Sequence, residues 1–324
     1  MERRRFMAAS LGTMLGAPAA GASHAPLHHG AALAFGTTVG VSVRHADAGL
    51  ARLAIRDALA SVQSVDRLMS IYDPASEVAR LNRDGVLARP DPHLLAVLRH
   101  ARALSQLTAG AFDITVQPLW QAGAHAASAG RLASSRERAQ ARALVGWNLV
   151  DASPERVVLR KPGMRITLNG LAQGYAADLA LRAVRAHGVV HALLDTGEFA
   201  ATGDAGARPW QLGVPDPRVP GRLAAAVRLD GRCIATSGDY EAVFSPDRLH
   251  HHIVDPATGD SPLELASVTV VAPSGIEADG LSTAFMVLGS HSAHALAARL
   301  PGVDLLTIDK PGRVRRSPGF PELA

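Results

Sequence analysis

The stretch from Ser267 to Thr283 constrains this chain more than any other. Ser267-Val268-Thr269-Val270-Val271-Ala272 is an apolar run that reads as a buried strand. Glu277-Ala278-Asp279-Gly280-Leu281-Ser282-Thr283 follows it and opens a helix. At such a junction, an acid and a hydroxyl four residues apart make a compact set of hard oxygen donors. Mg²⁺ prefers such donors, together with carbonyls and substrate phosphates. Alone, the segment fits an ordinary helix start equally well. Its meaning depends on the segments it can be joined to.

The remaining chain mixes strand and helix patterns. Leu33 to Arg44 alternates around Gly36 and Gly40 and reads as a strand. Apolar residues recur at helical spacing from Leu50 to Met69 and from His93 to Leu107, with Gly110 as a stop after the second run. Gly130 to Arg142, rich in Ala, Arg and Ser, reads as an exposed helix. Val157 to Leu159 and Arg165 to Leu168 flank Pro162-Gly163, a hairpin signal. Further on, a helix is expected from Leu171 to His187, a strand from His191 to Leu194 and several strands between Trp210 and Val254. Helices from Ile276 and near Ser292 to Leu300 and a strand from Val303 to Ile308 complete the pattern. There is no βαβ rhythm, internal repeat or long linker, so the fold class is α+β.

The chain has 324 residues, 48% hydrophobic and 19% charged, enough to bury a large core. Net charge is +4, and the arginines are scattered rather than set in a stripe with aromatics, so nucleic acid is not an expected partner. Cys233 is the single cysteine, which excludes an intrachain disulfide and a thiolate metal cluster. Within Cys233-Ile234-Ala235 it reads as a buried, inert thiol.

Arg3-Arg4-Arg5-Phe6 precedes a weakly apolar stretch from Met7 to Ala20. Ala20-Gly21-Ala22 and Ser23-His24-Ala25 are small-x-small cleavage candidates. Residues 1–25 thus read as a twin-arginine signal peptide and 26–324 as the mature domain, exported to the periplasm.

Three further segments can carry chemistry. In Gly110-Ala111-Phe112-Asp113, a small-residue turn sets a ring and a carboxylate side by side; a helix end with Phe112 in the core fits as well. In Thr167-Leu168-Asn169-Gly170-Leu171-Ala172-Gln173-Gly174-Tyr175, a strand end meets a helix start. Its N–H groups favour phosphate, and the Gly170 carbonyl can turn toward a metal. It lacks the Walker pattern, and an ordinary strand–turn–helix join is the alternative. His250-His251-His252-Ile253-Val254-Asp255-Pro256-Ala257-Thr258-Gly259 invites a zinc reading, but strand neighbours point to opposite faces and no third ligand sits at familiar spacing. A single histidine as general base fits better. Asp195-Thr196-Gly197-Glu198 and Thr236-Ser237-Gly238-Asp239-Tyr240 read as ordinary polar turns at strand ends.

Taken together and in order, these segments resemble the ApbE family of FAD:protein FMN transferases from about Phe35 to Phe320. The motifs are Ala-Phe-Asp, Asn-Gly-Leu-Ala-Gln-Gly-Tyr, Thr-Ser-Gly-Asp-Tyr, His-His-Ile-Val-Asp-Pro-x-Thr-Gly and Ala-Asp-Gly-Leu-Ser-Thr. The resemblance implies mixed sheets with packed helices, related to the T-fold, in two lobes around a flavin and Mg²⁺ site. It implies transfer of FMN from FAD to a Thr or Ser of a membrane-bound or periplasmic electron-transfer flavoprotein, with release of AMP. Carried over by motif, the metal ligands are the Gly170 carbonyl, Asp279 and Thr283. FAD contacts fall to Tyr72, Ala111, Phe112, Asp113, Thr167, Gln173 and Val254, and His252 is the base for the acceptor hydroxyl. The chain departs from many relatives at Phe35 (Met there), Thr167 (an acid), Asn169 (Gly) and Gln173 (Lys). The twin-arginine start and the Thr-Leu-Asn-Gly variant look most like the branch associated with nitrous oxide reductase maturation.

Overall fold

In the computed structural model, which describes residues 25–323, the strand Leu265–Ala272 is buried at every position. Its alternate residues serve two cores. Val268, Val270 and Ala272 join a large core on the helical side, while Val271 joins Ile234, Leu306 and Trp210 in a smaller one. A strand covered on both faces has no polar face to alternate with, which explains the unbroken apolar run. Of the expected signal peptide, residues 1–25, all but the last lie outside the described residues.

In chain order the elements are β1 (Leu27–Ala34), β2 (Thr37–Arg44), α1 (Ala48–Met69), α2 (Glu77–Asp84), β3 (Val86–Ala88), α3 (Pro92–Leu107), α4 (Gln117–Ser128), α5 (Ser135–Arg142), β4 (Val150–Ala152), β5 (Arg156–Leu159), α6 (Ala172–Ala186), β6 (His191–Asp195), β7 (Phe199–Thr202), β8 (Gln211–Pro215), β9 (Leu223–Arg228), β10 (Cys233–Gly238), β11 (Leu265–Ala272), α7 (Gly275–Ala297), β12 (Asp304–Asp309) and β13 (Val314–Arg316). Eight strands form an antiparallel sheet in the order β1-β2-β6-β7-β10-β11-β12-β13. Helices α1, α6 and α7 cover one face, and the β8–β9 ribbon closes over the smaller core. A three-stranded sheet, β3-β5-β4, stands apart. The class is α+β with mixed helices and sheets, as expected.

Several local expectations change. The single strand expected from Leu33 to Arg44 is two strands, reversed at Phe35 and Gly36 with φ of 54° and 77°. Arg165 to Leu168 is not a strand, so the Pro162-Gly163 hairpin does not form. Instead the Asn82 side chain brackets Ile166: its Oδ1 accepts from Ile166 N–H at 2.6 Å and its Nδ2 donates to Ile166 C=O at 2.8 Å. A side chain thus takes the place of a strand partner. The exposed helix near Gly130 begins only at Ser135, behind a Ser134/Glu137 capping box. His250 to Val254 is no regular strand; His251 alone makes an isolated bridge, to Val243. The two helices expected after Ile276 form one element interrupted at Gly289, where φ is 76°. Cys233 is buried, and burial pushes its thiol up to about 12.

Candidate active site

The strand–helix junction at β11 and α7 is locked to α6 through main-chain contact. Asp178 on α6 caps α7, its two oxygens accepting from Gly275 N–H at 2.7 Å and Ile276 N–H at 3.0 Å. The helices cross at Gly174 and Gly275. A Cβ on Gly174 would lie 2.1 Å from the Gly275 carbonyl oxygen, and one on Gly275 would lie 2.3 Å from that of Gly174. Only glycine at both positions permits this approach. The crossing brings Asp279, 4% exposed, against the first turn of α6, where its Oδ2 accepts from Gly174 N–H at 3.0 Å.

Thr283 stands one turn beyond Asp279, on the same face of α7. It meets the turn that precedes α6: a Cβ on Gly170 would fall 2.9 Å from the Thr283 hydroxyl and 3.5 Å from the Phe112 ring. The two junctions, more than a hundred residues apart, therefore converge. Ser282 does not share in this. It is fully buried, donates to the Asp279 carbonyl at 2.8 Å and pairs with the Ser237 hydroxyl at 2.8 Å.

These groups line a cavity of about 360 Å³, a volume in the range of small-molecule sites. Gly170, Asp279 and Thr283 share the lining with Ala111, Phe112, Asp113, Thr167, Gln173, His252 and Val254. Tyr72 is the exception: it is 73% exposed and no part of the lining. It sits in the turn after α1, where Ser70 Oγ accepts from the N–H groups of Tyr72 and Asp73, each at 3.1 Å.

Two of the gathered side chains build the wall rather than offer free groups. Asp113 accepts from Thr115 N–H at 2.7 Å, Thr115 Oγ1 at 2.6 Å and Trp147 N–H at 3.0 Å. It pins the loop that carries Phe112. Gln173 donates to the Thr196 carbonyl at 2.9 Å and clips α6 to the β6–β7 turn. Thr167 N–H donates to the Ile114 carbonyl at 2.8 Å, joining the two cavity segments.

The three adjacent histidines diverge. His250 pairs with Asp260 at 2.7 Å. His251 is buried against Ser261, its N–H donating to Ser261 Oγ at 2.8 Å. His252 faces the cavity, its N–H bonded to the Ala242 carbonyl at 2.9 Å. Its Nδ1 is buried with no partner among the described residues, so Nε2 is the nitrogen left to meet a ligand. Desolvation depresses the imidazole to about 4, so it is neutral at ordinary pH.

The lining also holds Glu198, Glu241, Trp120, Thr37 and Thr38, which lie outside the resemblance motifs, and Ser237 of the Thr-Ser-Gly-Asp-Tyr motif. Four carboxylates face the cavity, from Asp113, Glu198, Glu241 and Asp279, with no lysine or arginine in the lining among the described residues. Burial raises Asp279 and Glu198 above the usual carboxylate range, and for Glu198 the neighbouring Asp279 adds to it. No motif marked Glu198; only the folding of the β6–β7 turn against Gln173 brings it in.

The ApbE family matches residues 35–307. The chain belongs to the ApbE family. A FAD:protein FMN transferase of Treponema pallidum is 30% identical over 289 residues, covering 82% of this chain and 80% of that protein. One from Klebsiella pneumoniae is 30% identical over 313 residues, covering 91% and 87%. The crystal structure of the ApbE protein of Thermotoga maritima superposes with a TM-score of 0.81 at 30% identity, covering 90% of this chain and 97% of that one. The apo flavinyl transferase ApbE of Pseudomonas stutzeri gives 0.79 at 30% identity, covering 91% and 96%. The motifs that carry the resemblance are scattered in sequence, and in this chain they meet at one cavity.

Proposed function

We propose that this protein transfers FMN from FAD to a Ser or Thr hydroxyl of a target protein and releases AMP. The observation that carries the reading is the meeting of Gly170, Asp279 and Thr283 in one cavity with His252. The acceptor oxygen attacks the phosphorus of the FMN half. The P–O bond to the AMP half breaks, its electrons stay with AMP, and the acceptor proton passes to His252 Nε2. A neutral imidazole is ready for that proton, and the pyrophosphate beside it raises its basicity. Phe112, Ile253 and Val254 give the cavity apolar walls that limit water.

The donor set fits Mg²⁺. Asp279 is a buried carboxylate with a single N–H donor, Thr283 offers a hydroxyl, and no cationic side chain balances them. The Gly170 carbonyl, Asp279 and Thr283 would hold the ion, which would neutralise pyrophosphate charge. FAD would lie along the segments carrying Ala111, Phe112, Asp113, Thr167, Gln173 and Val254.

The twin-arginine start supports a periplasmic location and a membrane-bound or periplasmic electron-transfer flavoprotein as target. The Thr167-Leu168-Asn169-Gly170 variant supports the nitrous oxide reductase branch. The test is to incubate the mature protein with FAD, Mg²⁺ and a target domain, then read covalent FMN by in-gel fluorescence and mass. A labelled Thr or Ser is expected. Free FMN and AMP with no labelled protein would make the enzyme a FAD pyrophosphatase, and bound FAD with no product would overturn the catalytic reading.

A further inference from the structure

His252 reaches the cavity on an irregular hairpin. Asp239 opens the hairpin at the end of β10, the chain turns over from Ser245 to Leu249, and His252 closes it. Its cross-arm main-chain bonds run from Phe244 N–H and Ser245 N–H to the His250 carbonyl at 2.7 and 3.2 Å and from His252 N–H to the Ala242 carbonyl at 2.9 Å. Asp260 and Ser261 hold His250 and His251 from one side, and an ionic brace holds the hairpin from the other. Asp239 is fully buried, and Arg218 donates to both its oxygens at 2.7 Å. Lys310, just past β12, donates to Asp239 Oδ2 at 3.1 Å and to the Arg248 carbonyl at 2.7 Å. One ammonium thus ties the root of the hairpin to its tip. Arg248 has a φ of 60°, a strained setting for a residue with a side chain, which persists where surroundings fix it. Its guanidinium reaches the Pro217 carbonyl at 2.7 Å, beside Arg218.

We infer that Lys310 is a positioning residue for His252, cross-bracing the hairpin so that the imidazole meets the acceptor hydroxyl. The inference rests on the transfer reading above, with His252 as base. Lys310 does not line the cavity, so it acts through the hairpin and not on FAD. A misplacement of about 1 Å at a reacting group can cost roughly 100-fold.

The test is a double-mutant cycle on the full mature protein, with FAD, Mg²⁺ and a target domain that the wild type labels. Lys310→Met is expected to lower kcat for transfer roughly 10- to 100-fold with the KM for FAD within about twofold. Lys310→Arg, which can still donate to both acceptors, recovers most of the rate. In a His252→Ala background, Lys310→Met costs nothing further. Equal costs in both backgrounds would overturn the inference, as would a KM for FAD that rises in step with the loss of kcat. If Lys310→Met does not fold, Lys310→Gln enters the same cycle. The wild-type lane alone judges the transfer reading, and His252→Ala alone judges the base, so each fails separately from the brace.

Discussion

The two sides of the cavity are built in opposite ways. On the Asp279 side, α6 and α7 touch backbone to backbone at Gly174 and Gly275, and Asp178 fastens the helix end. On the His252 side, an irregular hairpin is held by long side chains converging on Asp239. The first wall has no slack, because a main-chain contact cannot re-pack. The second depends on side-chain ion pairs that a single substitution can remove. Position is thus set by backbone contact where charge must be held, and by side-chain bracing where a proton is taken.

The largest expected effect breaks the rigid side. Gly174→Ala places a methyl 2.1 Å from a carbonyl oxygen, with no flexible neighbour to yield. It should cost roughly 4 kcal/mol or more, measured by denaturant unfolding; near-wild-type stability would show that the crossing has slack after all. Next, Asp279→Ala should abolish transfer. It should leave the metal-free protein as stable as wild type or more so, because a buried carboxylate lacking a counter-charge is removed. A fall in Tm together with retained transfer would reverse the assignment. On the braced side, His252→Ala should slow transfer by about 10²–10⁴-fold while FAD binding survives. Unchanged turnover would remove His252 as the base.

The smallest effect concerns acid stability. Burial holds His251 at about 4, below its ordinary 6.5. Its folded form therefore binds fewer protons than the unfolded chain, so stability is full above 6.5 and is lost as pH falls toward 4. The contribution is at most about 3 kcal/mol, and His251→Gln should flatten Tm against pH across that window. A slope identical to wild type would place the acid sensitivity elsewhere, with His252, held at about 4 by the same burial, the next group to examine.

Helices α1 and α3 were legible because their apolar stripes repeat over many turns, and β11 because it is apolar throughout. The Ile166 segment misled because its hydrogen-bond partner is the Asn82 side chain, 84 residues away, which no local pattern encodes. The β1–β2 reversal hid because Phe35 takes a left-handed setting usually given to Gly or Asn. At the site, the segments with dense motifs all reached the cavity. Glu198 did not stand out, because it sits in a common polar turn outside the motifs and gains its place only through contacts across the sheet. Asp113 was legible as a cavity residue but not as a loop pin, since that role depends on Trp147, whose N–H it accepts.

The carboxylate-only lining has a consequence for loading. Gln173 is neutral and the wall holds no lysine or arginine among the described residues, so no counter-ion is covalently built in. Under the proposed chemistry, the dinucleotide and the divalent ion are then obligate co-guests. By thermodynamic reciprocity each raises the affinity of the other by the same factor. Titrations of FAD at stepped magnesium concentrations should give binding curves that slide together with the ion, down to negligible affinity in chelator. The protein would then charge itself only where free divalent cation is plentiful, and the ionic composition of its compartment would act as the throttle on flavin delivery.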